Sequence, residues 1–147
     1  MKEDVHTIFS LINDLAIYER EPFGVKINES TLERDGFGPA PLFRVFIGEY
    51  SGTAVGFALV YNIYSTWEGR CLYLEDIFVR EPFRGKGIGR ALFTKIVKEA
   101  EDTGCARLVF QVLDWNKPSR EWYEALGAQP HQQWVTYRMY QKDFSDF

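Results

Sequence analysis

Val79-Arg80-Glu81-Pro82-Phe83-Arg84-Gly85-Lys86-Gly87-Ile88-Gly89-Arg90-Ala91-Leu92 is the stretch that decides the fold. A strand-like segment ends before Pro82. A turn then places glycines at 85, 87 and 89, and an amphipathic helical pattern follows. Glycines let the backbone approach a ligand closely and reach conformations that other residues avoid. The free N–H groups of a first helical turn point into that space, and the helix dipole adds positive potential. Together they form a phosphate cradle. The spacing argues against two common cradles. Nucleotide hydrolysis needs Ser or Thr after Gly-Lys, and here Lys86 is followed by Gly87. A dinucleotide fingerprint needs G-x-G-x-x-G, and here the glycines alternate.

Working outward, the period is helical after the turn, with Ile88, Leu92, Ile96, Val97 and Ala100 on one face and Gly104 as a stop. Before the turn it is strand-like. Phe43–Tyr50 and Thr53–Tyr61 flank Ser51-Gly52 as a hairpin, and Arg70–Val79 follows a second turn at Trp67-Glu68-Gly69. Towards the start, Val5, Ile8, Phe9, Ile12, Leu15 and Ala16 predict a helix after Asp4, and a shorter one follows Asn28 to about Arg34. Towards the end, Arg107–Leu113 reads as a strand buried on both faces. Pro118 opens a helix to about Leu126, and Trp134–Tyr140 reads as a last, alternating strand. The order α-α-β-β-β-α-β-α-β predicts an α/β (α+β) fold, a mixed central sheet flanked by helices, in a single domain over residues 1–147.

Composition narrows the function classes. A chain of 147 residues can bury roughly two-thirds of its surface and build a core without disulfides or a structural metal. No apolar run approaches the ~20 residues needed to cross a bilayer, and Met1-Lys2-Glu3-Asp4 is acidic where a signal peptide would be basic. The two cysteines, Cys71 and Cys105, suit a reducing, cytoplasmic setting, and the two distant histidines make a metal site improbable. The net charge of −4 argues against nucleic acid and suits a cationic small molecule. The charge is also uneven. Residues 80–98 carry Arg80, Arg84, Lys86, Arg90, Lys95 and Lys98 against Glu81, whereas Glu3, Asp4, Asp14, Glu19 and Glu21 crowd the first 21 residues. One region is suited to an anion and another to a cation.

Arg84-x-x-Gly87-x-Gly89, between a strand and an amphipathic helix, resembles the pyrophosphate-binding signature of the GNAT superfamily of acetyltransferases. Leu72-Tyr73-Leu74-Glu75-Asp76-Ile77-Phe78-Val79, Asp35-Gly36-Phe37-Gly38, Trp115-Asn116-x-Pro118-Ser119 and Tyr123-x-x-Leu126-Gly127-Ala128 resemble the spermidine/spermine (diamine) acetyltransferases in the same order. Leu113–Asn116 and Ala125–Gln129 are most similar to the thialysine acetyltransferase branch. The resemblance runs from about Ile8 to Trp134. It implies a GNAT fold, acetyl transfer from acetyl-CoA to a small primary amine, and a homodimer.

Residue by residue, the resemblance implies that Ile77, Phe78 and Val79 offer backbone to the pantetheine arm. Arg84, Gly85, Lys86, Gly87, Ile88, Gly89 and Arg90 would hold the pyrophosphate, and Asn116, Pro118 and Ser119 would line the coenzyme side of the second helix. Tyr123 matches the general acid. Tyr18, Glu19 and Glu75 match amine-binding positions, with Asp76 and Trp134 counted beside them. Two departures stand out. The family's opening strand, of Ile-Arg-x-Ala type, is missing, and Gln132-Gln133 stand where an acid often precedes the tryptophan matching Trp134.

The residues explain the chemistry without the resemblance. A primary amine has a pKa of about 10.4, so near neutrality it is a cation that must be bound and then deprotonated. An acidic pocket binds it, and a carboxylate, directly or through water, removes the proton. Glu75, on the strand that leads to the cradle, is the candidate base. Asp76 faces the opposite side if that strand is regular, and a bulge would change this. A surface ion pair of these acids with Arg70 or Arg80 is the competing reading. Tyr123 can protonate a leaving thiolate, or instead be a core aromatic. A backbone N–H, that of Val79, would polarise the thioester carbonyl. Alternative functions are acetylation of protein or peptide amines and non-catalytic sensing of acetyl-CoA or polyamines.

Overall fold

In the computed structural model, which describes residues 1–146, the apolar spacing after Asp4 winds into helix α1 (Val5–Tyr18), burying Val5, Ile8, Leu11 and Leu15. The Asp4 side chain does not cap this helix but accepts a hydrogen bond from the Met1 ammonium. Helix α2 (Glu29–Phe37) is capped by Asn28, whose Oδ1 accepts from the Thr31 N–H at 2.9 Å. It runs three residues beyond the expected end at Arg34, through Gly36 to Phe37. Gly36 has to be small there, because a Cβ would lie 2.4 Å from the Phe43 ring.

Strands β1 (Arg44–Tyr50), β2 (Thr53–Ser65) and β3 (Gly69–Val79) form an antiparallel meander, and β4 (Leu108–Phe110) joins β3 in parallel. The sheet order is β1-β2-β3-β4, so the expected mixed sheet is present. Between β3 and β4 lies helix α3 (Ile88–Asp102), as its periodicity requires, and helix α4 (Lys117–Ala125) follows β4.

Two faces of the sheet are covered by different helices. Ile88, Leu92, Ile96 and Ala100 of α3 pack on Val60, Leu72 and Leu74. Leu11 and Leu15 of α1 pack on Phe57, Leu59 and Phe78 of the other face. Fully burying one such side chain is worth about 1.5–3 kcal/mol, so these two layers fix the strand ends that carry the site.

The chain divides into two compact units, residues 1–111 and the residues from Val112 onward. Two expectations for the later part change. β4 is three half-buried residues, not a seven-residue strand buried on both faces. Trp134–Tyr140 is not a strand. A strand needs a neighbour for its N–H and C=O groups, and the second unit has no strand among its described residues. Trp134 and Tyr137 are 72% and 89% exposed, so the alternating pattern has no face to bury. No helix among the described residues is long and apolar enough to cross a membrane.

Candidate active site

A β-bulge organises the acidic side of the first unit. On β3, Asp76 pairs with Leu59, and the next pair along is Leu74 with Val60, which leaves Glu75 unpaired between them. An extra residue breaks the strict alternation of faces. Leu74 and Ile77, three apart, both lie with the α3 core, while Phe78 lies with the α1 core. Glu75 and Asp76 are therefore not sent to opposite faces.

Both carboxylates are electrostatically coupled to Glu19 at the end of α1. The Tyr61 hydroxyl donates to Glu75 Oε2 at 2.8 Å. Burial, then the charges of Glu75 and Glu19, push the Asp76 carboxyl up to about 7. Burial, then Glu75, also raise the Glu19 carboxyl above its ordinary value. With the charge of Glu75 acting on both Asp76 and Glu19, the three acids form a ready cation site. The competing ion pair with Arg80 is absent. Arg80 Nε donates to Asp14 at 2.7 Å, and its terminal nitrogens donate to the Ala54 carbonyl and the Ser10 hydroxyl. Tyr18, the last residue of α1, lies against Phe78 with ring centroids 6.2 Å apart.

The glycine turn follows β3 after a single 3-10 turn, Glu81–Phe83. Gly85 and Gly87 have φ of +74° and +82°, in the left-handed region. Apart from the flanking residues of the chain, no atom lies within 4 Å of where a Cβ would stand at either residue. Gly87 is the N-cap of α3 and no side chain caps it, so the first-turn N–H groups of Ile88, Gly89 and Arg90 have no intrahelical partner. This open concavity of backbone donors fits a pyrophosphate. It is held down from below. Ile88 sits over Gly48 of β1, where a Cβ would come within 2.7 Å of its Cγ2. Of the side chains expected here, Lys86 lies 5.1 Å over the Tyr50 ring. Arg84 stacks 4.6 Å over Tyr18 and donates through Nε to the Val79 carbonyl at 2.8 Å. One guanidinium thus stands between the glycine turn and the end of α1.

Ile77, Phe78 and Val79 connect the two regions. They pair with Ala58, Phe57 and Gly56 on the β2 side. On the other side the ladder with β4 ends at Leu74 and Phe110. Past that point no strand of the first unit takes the far edge of β3, and its backbone can accept an extended ligand arm.

In the second unit, Asn116 is buried and caps α4, its Oδ1 accepting from the Ser119 N–H at 3.4 Å, with Pro118 in the first turn. Tyr123 is buried on α4 beside the Trp122 ring, at 5.0 Å between centroids. Trp134 lies in the irregular stretch beyond α4. The structure therefore gathers Tyr18, Glu19, Glu75 and Asp76 in one place and Asn116, Pro118, Ser119 and Tyr123 on another helix. Tyr61 was not among the expected site residues. Its strand was legible, but its bond to Glu75 depends on the bulge, which no local pattern announces.

The family model described as "Acetyltransferase (GNAT) family" matches residues 7–128. The chain is 45% identical over 134 residues to thialysine N-epsilon-acetyltransferase of Bos taurus, covering 86% of this chain and 79% of that protein. It is 36% identical over 132 residues to spermidine/spermine N(1)-acetyltransferase-like protein 1 of Homo sapiens, covering 85% of this chain and 19% of that protein. Among solved structures, an aminoglycoside acetyltransferase from an uncultured soil metagenomic sample, in complex with sisomicin, superposes with a TM-score of 0.78. It is 16% identical and covers 95% of this chain and 91% of that one, a likeness of fold.

Proposed function

The chain belongs to the GNAT acetyltransferase family, and from that premise we propose that it moves an acetyl group from acetyl-CoA to a primary amine of a small polyamine, diamine or thialysine-like substrate. The observation that carries this reading is the bulge on the strand leading into the glycine turn, which turns Glu75 and Asp76 to one face, with the charge of Glu19 at the end of α1 acting beside them. A cation site at Glu75-Asp76 and an anion site from Arg84 onward, separated by seven residues along the chain, suit a cationic acceptor and a diphosphate donor.

The turn from Arg84 to Arg90 would hold the pyrophosphate through its backbone N–H groups, and the Ile77–Val79 edge beyond the β4 ladder would hold the pantetheine arm. Asn116, Pro118 and Ser119 would complete the coenzyme's binding. Acetyl-CoA supplies the activated acyl group. Glu19 and Asp76 bind the ammonium, with Tyr18 as an apolar wall for its carbon chain, and Trp134 is counted as a substrate residue on the family resemblance. Glu75, directly or through water, takes the proton that frees the nitrogen to attack. Tyr123 returns a proton to the leaving sulfur. No covalent enzyme intermediate is required: Cys71 is buried and Cys105 half-buried, both as free thiols. The resemblance to diamine acetyltransferases extends the proposal to a homodimer in the cytoplasm.

The test is acetyl-CoA consumption with putrescine, spermidine, spermine, thialysine and lysine. At least one amine is expected to be acetylated, and Glu75→Gln is expected to lose most of that turnover. Equal, background consumption with every amine would overturn the reading.

A further inference from the structure

We propose that Tyr61 is a positioning residue for this reaction, its hydroxyl fixing the Glu75 carboxylate so that one oxygen is held and the other is presented to the amine. The inference rests on the reading of Glu75 as the base. Glu75 is exposed and lies at the bulge, where its backbone has no ladder partner. A glutamate with three free torsions holds a single geometry only against a cost in rotamer entropy. The 2.8 Å bond from Tyr61 is its anchor. It occupies Oε2, and Oε1 has no hydrogen-bond partner among the described residues.

The anchor itself is rigid. Tyr61 lies in the regular part of β2, directly opposite Tyr73 on β3. The two rings stack at 5.1 Å and 27°. The Tyr61 ring also packs on the core layer that contains Leu11, Leu15 and Phe57. Sheet and core thus determine where the hydroxyl stands, and the hydroxyl determines where the carboxylate stands. Burial first, and then the bond to Glu75, raise the Tyr61 hydroxyl well above the usual phenol value, so it stays a donor across the working range. The other titratable or charged groups around the pair are Tyr73 and Asp76 on β3, Tyr18 and Glu19 at the end of α1, and Arg84 over Tyr18.

Tyr61→Phe keeps the ring, the stack and the packing, and removes only the donor. With the amine that the wild-type protein acetylates best, kcat is expected to fall about tenfold, while KM for acetyl-CoA stays within twofold. A carboxylate that loses a donor to its charged form gains proton affinity, so the acid limb of the kcat/KM profile is expected to move to higher pH. In a Glu75→Gln background the same substitution is expected to have no further effect on kcat. A merely structural tyrosine would lower Tm and leave the limb in place. Wild-type kcat and an unmoved limb in Tyr61→Phe, beside a depressed Glu75→Gln, would overturn the role of Tyr61 alone. Full activity of Glu75→Gln would overturn the reading of Glu75 as base, and the Tyr61 proposal with it.

Discussion

The glycine turn and the acidic cluster are built by opposite means. The turn is made of backbone: two left-handed glycines and the open N–H groups of α3, contiguous in sequence and dependent on little beyond Ile88 seated over Gly48. The cluster is made of side chains from three elements, Glu19 at the end of α1, Tyr61 on β2, and Glu75 with Asp76 on β3, and it depends on one bulge. A backbone site is specified by spacing and damaged by any Cβ in the wrong place. A side-chain site is specified by register, and single substitutions retune its charge without destroying its shape.

The sharpest way to break the comparison is at Gly87. Its φ of +82° is one that a β-branched residue adopts only at a steric cost. Gly87→Val therefore twists the N-cap of α3 and turns the donors away. The expected result is a rise in KM for acetyl-CoA of about a hundredfold, with the amine KM changed by less than threefold, since each good charge-assisted bond is worth about 1.5–3 kcal/mol. Steady-state kinetics in both substrates measure this. Equal losses in both KM values would mean that the two regions are one site.

A smaller effect is expected from Glu19→Gln. This removes one charge from the cluster and keeps the shape of the α1 terminus. The amine KM should rise about tenfold with kcat nearly unchanged, as for an interaction made equally in the ground and transition states. The effect should shrink in high salt, because Glu19 is only half-buried. A loss confined to kcat would instead make Glu19 part of the proton transfer.

The same contrast explains what could be read beforehand. Alternating glycines between Val79 and the apolar face of Ile88, Leu92 and Ile96 make the turn and α3 legible, because each signal is local. The hairpin at Ser51-Gly52 and the start of the short helix after Asn28 are legible for the same reason. The closeness of Glu75 to Asp76 could only be stated conditionally, since alternation sends adjacent residues apart unless one is unpaired. The bulge arises where Leu59 and Val60 face Asp76 and Leu74, a long-range register that β3 alone does not contain. Trp134–Tyr140 fails in the other direction. Its alternation is real, but a strand is a relation between two segments, and the second unit supplies no second one among its described residues.

The subtlest test concerns Asp76 and the pH dependence of stability. Burial, then Glu75, then Glu19 raise its carboxyl to about 7 in the folded protein, against about 3.9 in an unfolded chain. The folded state therefore holds this proton more tightly than the unfolded state. The stability it contributes is fully present below pH ~4 and is lost as pH rises through 7. Asp76→Asn cannot develop the charge. Discounting for solvent around a half-buried group, the variant should be about 1 kcal/mol more stable than wild type at pH 8 and no more stable at pH 4. Urea unfolding at the two pH values checks this, and a gap independent of pH would remove Asp76 from the cluster. An ammonium bound among Glu19, Glu75 and Asp76 relieves the same repulsion. A saturating amine should therefore raise the wild-type Tm more at pH 8 than at pH 5, and it should narrow the difference between wild type and Asp76→Asn.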